Sequence, residues 1–230
     1  MPDEGDKLLS MQRIGGVCAL VAGVTFIVGI VLFATALSDY TSGDPSPAES
    51  VEFLVDHEAL MYAWNIIIFV VFGIALVPVV LAIHDRSQPG WPLNRLAAAF
   101  GLIWAGLVIA AGMIANVGWQ TVTDVADEDL QRAVTLWEAI DSIQNGIGGG
   151  NEIAGGLWVL LASASCLHSE SLPRLLCYLG IVSGAAGLIT VIPGLEPVGA
   201  VFGLGLIIWF VWAGFTLSRP TEQTVPIPRP

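Results

Sequence analysis

Long uncharged apolar runs, separated by short polar stretches, make up most of the chain. Crossing a bilayer takes about 20 residues of helix at ~1.5 Å rise per residue. Six runs reach that scale: residues 14–37, 60–83, 95–118, 148–167, 175–192 and 198–217. The first presents Gly15, Ala19 and Gly23 at every fourth position, and the third presents Ala97, Gly101 and Ala105 in the same spacing. The fifth contains Gly180 and Gly184 as GxxxG, and the sixth Gly199 and Gly203. Faces of small residues let membrane helices approach closely. Pro78 predicts a kink in the second run, because proline lacks the backbone N–H and clashes with the preceding turn.

The polar stretches set the boundaries. Residues 1–13 form a charged head, and residues 218–230 a proline-rich tail expected to be flexible. Gly43, Pro45 and Pro47 mark a loop, followed by a short surface helix over residues 47–57 whose Phe53 and Leu54 dip into the membrane interface. Pro89-Gly90 and Pro193-Gly194 mark turns. The longest connection is residues 119–145. Its acids Asp124, Asp127, Glu128 and Asp129 precede Leu130, Ala133, Val134, Trp137 and Ile140, which is helical spacing with one apolar stripe. An amphipathic helix is expected there, lying on the membrane or leaning on the bundle. The pattern leaves open whether segment 127–145 stays on the surface or runs into the fourth span. Ala34-Thr35-Ala36 resembles a signal-peptide cleavage site, but the apolar run before it exceeds the usual ~7–15 residues. We read it as an uncleaved first helix. The expected fold is all-α: one membrane domain of six transmembrane helices, plus an amphipathic external helix between the third and fourth.

Composition agrees. The chain is 55% hydrophobic and 12% charged, with mean hydropathy +0.76, where soluble domains carry about 25% charged residues. Net charge is −12 and Lys7 is the one lysine, so a basic nucleic-acid footprint is absent. The acid excess resembles proteins of salt-loving prokaryotes. Lys7, Arg13, Arg86, Arg95, Arg174, Arg219 and Arg229 fall on one side of a six-span topology, and Arg132 falls alone on the other. By the positive-inside rule both termini are cytoplasmic, in a prokaryotic plasma membrane. Most acids lie outside, where they hydrate the surface in a salty medium or attract cations towards a site. Tyr40, Tyr62, Trp64, Trp119 and Trp137 map to the outer interface, and Trp104, Trp158 and Trp209 to mid-span packing positions. Cys18, Cys166 and Cys177 are an odd number without ligand spacing. They read as buried thiols, not as a disulfide framework or zinc site.

Ionisable residues inside spans are rare and costly. Glu152 is the one acid within a span, about four residues into its helix. Asn151 beside it, Asn65 and Asn116 at matching depth, and Asp141 and Asn145 upstream complete a candidate polar pocket. Asp141, Asn145, Gly148 and Glu152 share one face if the helix is continuous. Gly148, Gly149 and Gly150 could instead unwind it, beside protein or a wet cavity. Two readings follow. The pocket binds a small cation, a proton or a polar ligand from outside, or these groups hydrogen-bond between helices. His57, His84 and His168 are scattered, and neither HExxH, GxSxG nor a P-loop occurs. Neither catalytic residues, a metal site nor a cofactor is indicated.

The segment NEIAGGLWVLL, then SLPRLLCYLGIVSGAAGLITVIP, then FGLGLIIWFVWAGFTL, resembles the last three helices of a prokaryotic multi-pass family known only as a domain of unknown function, DUF4386-like. The match is strongest over residues 151–217, in the LPR entry to the fifth span and the WFVWAG ending. The resemblance implies the fold and the membrane location, and it implies no activity, cofactor or site residue. The functional expectation is small-solute or ion binding or transport through the outward-facing pocket. The alternative is a non-catalytic partner or scaffold subunit, docking other membrane subunits or a second copy through its small-residue faces.

Overall fold

The structure, a computed structural model, describes residues 4–38, 45–87, 91–192 and 194–219; the side chains of residues 4–10, 148–151 and 196 are outside the description. The expected flexible tail over 218–230 falls almost wholly outside these residues. Among the described residues there is helix and no strand. Helix α1 is Glu4–Ala34, so most of the charged head is helical. Helix α2 is Pro47–Asp56. Helix α3, Glu58–Asn65, continues through a π-helical segment, Ile66–Val71, into α4, Phe72–Arg86, as one rod. Helix α5 is Pro92–Ala126, α6 is Leu130–His168, α7 is Arg174–Ile189 and α8 is Gly199–Ser218.

Four helical stretches are long and apolar enough to cross a membrane: Met11–Ala34, Glu58–Arg86, Pro92–Ala126 and Gly199–Ser218. They mark the chain as a membrane protein. Helix α7 has only 16 residues, about 24 Å at 1.5 Å per residue, and it stops at Ile189 where the apolar run suggested 192. Pro78 lies inside α4, while the departure from α-helical geometry comes earlier, at Ile66–Val71, where the Phe72 N–H reaches back to the Ile67 carbonyl.

Each long helix packs on the next in chain order, and α8 returns to α1, closing a ring. One end of the ring, the terminal end, gathers the start of α1, the ends of α4 and α8 and the α6–α7 connection. There Gly16 abuts Ser218, and Arg86 donates to the Ser171 carbonyl (2.9 Å) and to Gln12 Oε1 (3.3 Å). The opposite end carries the α5–α6 turn at Asp127–Asp129.

The long connection expected over residues 119–145 is not a separate element. Helix α5 runs on to Ala126, and after a three-residue turn α6 runs unbroken through Gly148–Gly150. At 35 and 39 residues these helices reach about 52 and 58 Å, well past a hydrocarbon core of ~30 Å. The amphipathic stripe is spent on the neighbouring helix. Ala133 is fully buried, and Ile140 fills the place a side chain at Gly118 would take. Helix α2 lies across this projecting hairpin. It starts with a capping box: Glu49 N–H donates to Ser46 Oγ, and Ser46 N–H donates to Glu49 Oε2 at 2.7 Å. That bond from the Ser46 backbone holds the Glu49 carboxyl below its ordinary range. Leu54 does not dip into lipid; it is buried with Val51, Met61, Trp119 and Val122 in a second small core.

The main core is aromatic. Trp104, Trp158, Trp209, Phe72 and Phe210 pack with ring centroids 5.2–5.9 Å apart in successive contacts. Glycines seat the indoles across the α5–α6 pair. A Cβ at Gly101 would lie 2.5 Å from Trp158, and one at Gly155 would lie 2.6 Å from Trp104. Helices α6 and α7 meet backbone to backbone, where a Cβ at Gly184 would lie 2.6 Å from the Gly156 carbonyl oxygen.

Gly184→Ala is therefore expected to cost about 1–3 kcal/mol through overpacking against rigid backbone. Gly106→Ala, where nothing lies within 4 Å of the added carbon, should leave stability unchanged or raise it by under ~1 kcal/mol. Unfolding of both variants in mixed micelles checks this; equal melting would show that the α6–α7 contact is looser than described.

Candidate functional site

Helices α1 and α8 are in close contact near the terminal end and part towards the turn end. Gly16 faces Gly214 and Ser218, and Gly23 faces Val211, in positions where any side chain would clash. Two turns further along, Gly203 has nothing within 4 Å of where a Cβ would stand. The gap opens into a cavity of about 460 Å³. Phe26, Ile30 and Phe33 of α1 form one wall. Trp64, Ile68, Phe69 and Phe72 form the next, with the last pair straddling the end of the π segment. Trp104 and Val108 of α5 close the back, and Gly199, Phe202 and Gly203 of α8 complete the lining.

Glu152 is the one charged residue among these walls. It sits one turn before Gly156, where the close α6–α7 contact fixes the helix. Thr190 Oγ1, at the end of α7, donates to Glu152 Oε2 at 2.7 Å and lies equally close to the Gly187 carbonyl. Glu152 Oε1 would be 3.5 Å from a Cβ at Gly199. Among the described residues the one ion pair is Arg174 with Glu170, so no described cation pairs with Glu152.

The described side chains of the predicted pocket do not converge. They separate into three pairings. Asn65 is fully buried and turns away from the cavity, donating from Nδ2 to the Gly112 carbonyl and to Asn116 Oδ1, both at 2.8 Å. The carbonyl is reachable because Gly112 has no side chain. Asn145 donates to Asp141 Oδ2 at 2.8 Å, one turn back on the same helix and on an exposed part of it. Glu152 pairs with Thr190. The Asn151 side chain lies outside the described residues. The site is thus an apolar crevice with one acid, where residue types alone suggested a polar pocket of amides.

Sequence reasoning missed Thr190 and the phenylalanine walls. Thr190 was findable, because it closes the fifth run at the same end at which Glu152 opens the fourth, which places both at one depth. Phe26, Ile30 and Phe33 share one face of α1 by the same spacing rule. A second buried contact, Ser87 Oγ to Cys166 Sγ at 3.1 Å, lies at the terminal end and touches none of these groups.

A family model described as a domain of unknown function, DUF4386, matches residues 14–215. The chain belongs to the DUF4386 family. The match reaches through the first three long helices as well as the last three, so every wall of the DUF4386 crevice falls within it. No curated protein and no solved structure matches the chain.

Asp141 supplies a test of the pairings. Partial burial pushes its carboxyl up from the ordinary value, and the bond from Asn145 opposes this. An acid whose folded pKa is raised holds its proton more tightly when folded, so stability falls as pH rises from about 3.9 through the folded pKa. Asp141→Asn keeps a partner for Asn145 and removes that titration. The variant's melting temperature should gain on wild type between about pH 4 and pH 7; a pH-independent difference would contradict this.

Proposed function

We propose that this DUF4386 protein binds a small, largely apolar molecule in the crevice, from the outward side of a six-span bundle in a prokaryotic plasma membrane. The observation that carries the reading is the 460 Å³ cavity walled by aromatic side chains around one acid. Ligand sites for drug-sized molecules are concave, mostly apolar and about 300–1,000 Å³, with a few placed polar groups. A hydrated ion or a polar solute would find one carboxyl group and little else to replace its water, so the apolar lining favours a different ligand class from the one that residue types first suggested.

Ring order supports the reading of six spans. The apolar second half of α6 and the whole of α7 pack between α5 and α8, two helices long enough to cross, which favours their lying in the same layer. Orientation rests on charge. Arg86 and Arg174 stand at the terminal end, and Asp127, Glu128 and Asp129 at the turn end, which favours an external turn end by the positive-inside rule. The scaffold reading draws less support. Gly15, Gly23, Gly180 and Gly184, which had suggested docking faces, meet Ala82, Val211, Ser163 and Gly156 inside the ring.

Gly203→Trp places an indole in open space within the crevice. Protein purified from its native membrane and extracted with organic solvent should release a drug-sized molecule from wild type and none from the variant, as read by mass spectrometry. Identical extracts, or a wild-type extract without such a molecule, would count against the crevice as a binding site.

Orientation has its own measurement. Glu128→Cys should react with a membrane-impermeant maleimide on intact cells, and Arg219→Cys should react only after permeabilisation. Both positions are exposed. Ser87, by contrast, is 1% exposed and would stay silent from either side. The reverse labelling pattern would invert the topology.

A further inference from the structure

We infer that the crevice selects a lipophilic organic cation, an amine or quaternary ammonium on a drug-sized apolar body, which enters sideways from the bilayer between α1 and α8. The inference rests on the reading of the crevice as a binding site and adds the chemistry of what fills it.

Two observations point to a cation, and a third to its size. First, Glu152 is half-buried in an aromatic cavity, holds one hydrogen bond from Thr190, and has no cationic partner among the described residues. An acid in low-dielectric surroundings is costly unless a counter-charge completes it. A purely structural acid would be expected beside a basic side chain or several donors, and neither is described here. Second, Trp64, Phe69, Phe72 and Trp104 line the same cavity. Aromatic faces attract ammonium groups, most strongly where water is excluded. Third, the volume suits one drug-sized molecule.

The entry route follows from where the walls stop. Ile30 is 48% exposed and Phe33 49%, so these two wall residues form a rim that also faces the bundle's surroundings. Across the gap Gly203 offers no side chain to close it. A molecule dissolved in the lipid meets an apolar rim first and the acid last. Anions are excluded by the charge of Glu152, and neutral molecules gain the walls without the counter-ion.

The test uses the full chain in nanodiscs of zwitterionic lipid, with radiolabelled decyltrimethylammonium as the cationic probe. Decanol and decyl sulfate compete as its neutral and anionic counterparts, and empty nanodiscs give the partition background. Wild type should bind the cation saturably and about tenfold more tightly than decanol, a ratio equivalent to ~1.4 kcal/mol, and should bind decyl sulfate least. Glu152→Gln keeps an oxygen for Thr190. It should lose the preference for the cation while binding decanol as wild type does, and that retained binding doubles as the check that the variant is folded. Gly203→Trp should lose both ligands. A wild type that binds decanol as tightly as the cation, or a Glu152→Gln variant that keeps the preference, would overturn the cation inference and leave the crevice standing. Unchanged binding of both probes by Gly203→Trp would overturn the crevice itself.

Discussion

The reciprocal seating of two indoles on two glycines between α5 and α6 is the constraint from which the rest of the bundle follows. Trp104 lies on Gly155, and Trp158 lies on Gly101. Each tryptophan needs the absence of a side chain on the opposite helix, so the pair of helices has one register and no neighbouring one. A slide by one turn would drive each indole into a helix that carries side chains there. Buried aromatic rings also bring the largest apolar area of any side chains and prefer the tilted and edge-on arrangements seen here. Once α5 and α6 are locked, Gly156 is presented to α7, and Glu152 is turned towards the crevice with Trp104 behind it. One side chain, Trp104, therefore belongs both to the packing core and to the wall of the candidate site.

The apolar runs located every long helix, and the acidic stretch marked the α5–α6 turn to within a few residues. What they could not show was that the amphipathic segment joins the fourth run. Gly148, Gly149 and Gly150 carry the poorest non-proline helix propensity and sit where a break would be expected. The helix continues because the flanking halves are both held against α5, by Ala133 and Ile140 on one side and by Gly155 and Trp158 on the other. Tertiary contact overrides local propensity there. The site was half legible for a related reason. Depth along a helix can be counted from sequence only from the right starting point. Asn65 and Asn116 do share a level, but α6 begins well before the apolar run, and Glu152 stands beside Trp104 and Val108, about two turns along α5 from Asn116. Rotation about the helix axis cannot be counted across different helices. Asn65 and its neighbour Trp64 illustrate the difference: one faces the Gly112 carbonyl on α5, the other the crevice.

The crevice is a product of side-chain size along two helices. Near the terminal end, α1 and α8 meet through Gly16, Gly23 and Gly214, and the backbones approach closely. Towards the turn end, α1 carries Phe26 and Phe33 in place of small residues, and α8 carries Phe202 beside Gly203. Large side chains on one helix and a bare position on the other hold the helices apart without filling the space between. The π segment acts in the same sense on the facing rod. Its extra residue per turn shifts the rotational phase between Trp64 and Phe72, so that Trp64, Ile68, Phe69 and Phe72 all reach one cavity. Such segments are frequent at functional sites because they re-aim side chains at a local cost in helix geometry.

That cost, together with a lone acid, is what separates this cavity from a packing defect. An apolar void would be closed by larger residues at Gly199 and Gly203 with a gain in contact energy. A structural acid would be tied by more than one threonine, since an interhelical hydrogen bond contributes only about 0.6 kcal/mol on average in a membrane protein. Glu152 is held in orientation by Thr190 and is left with Oε1 directed to the side where Gly199 has no side chain. A half-satisfied acid, an unclosed gap and a re-aimed helix each weaken the fold when taken alone. They meet at one place, and a positively charged apolar guest would complete all three.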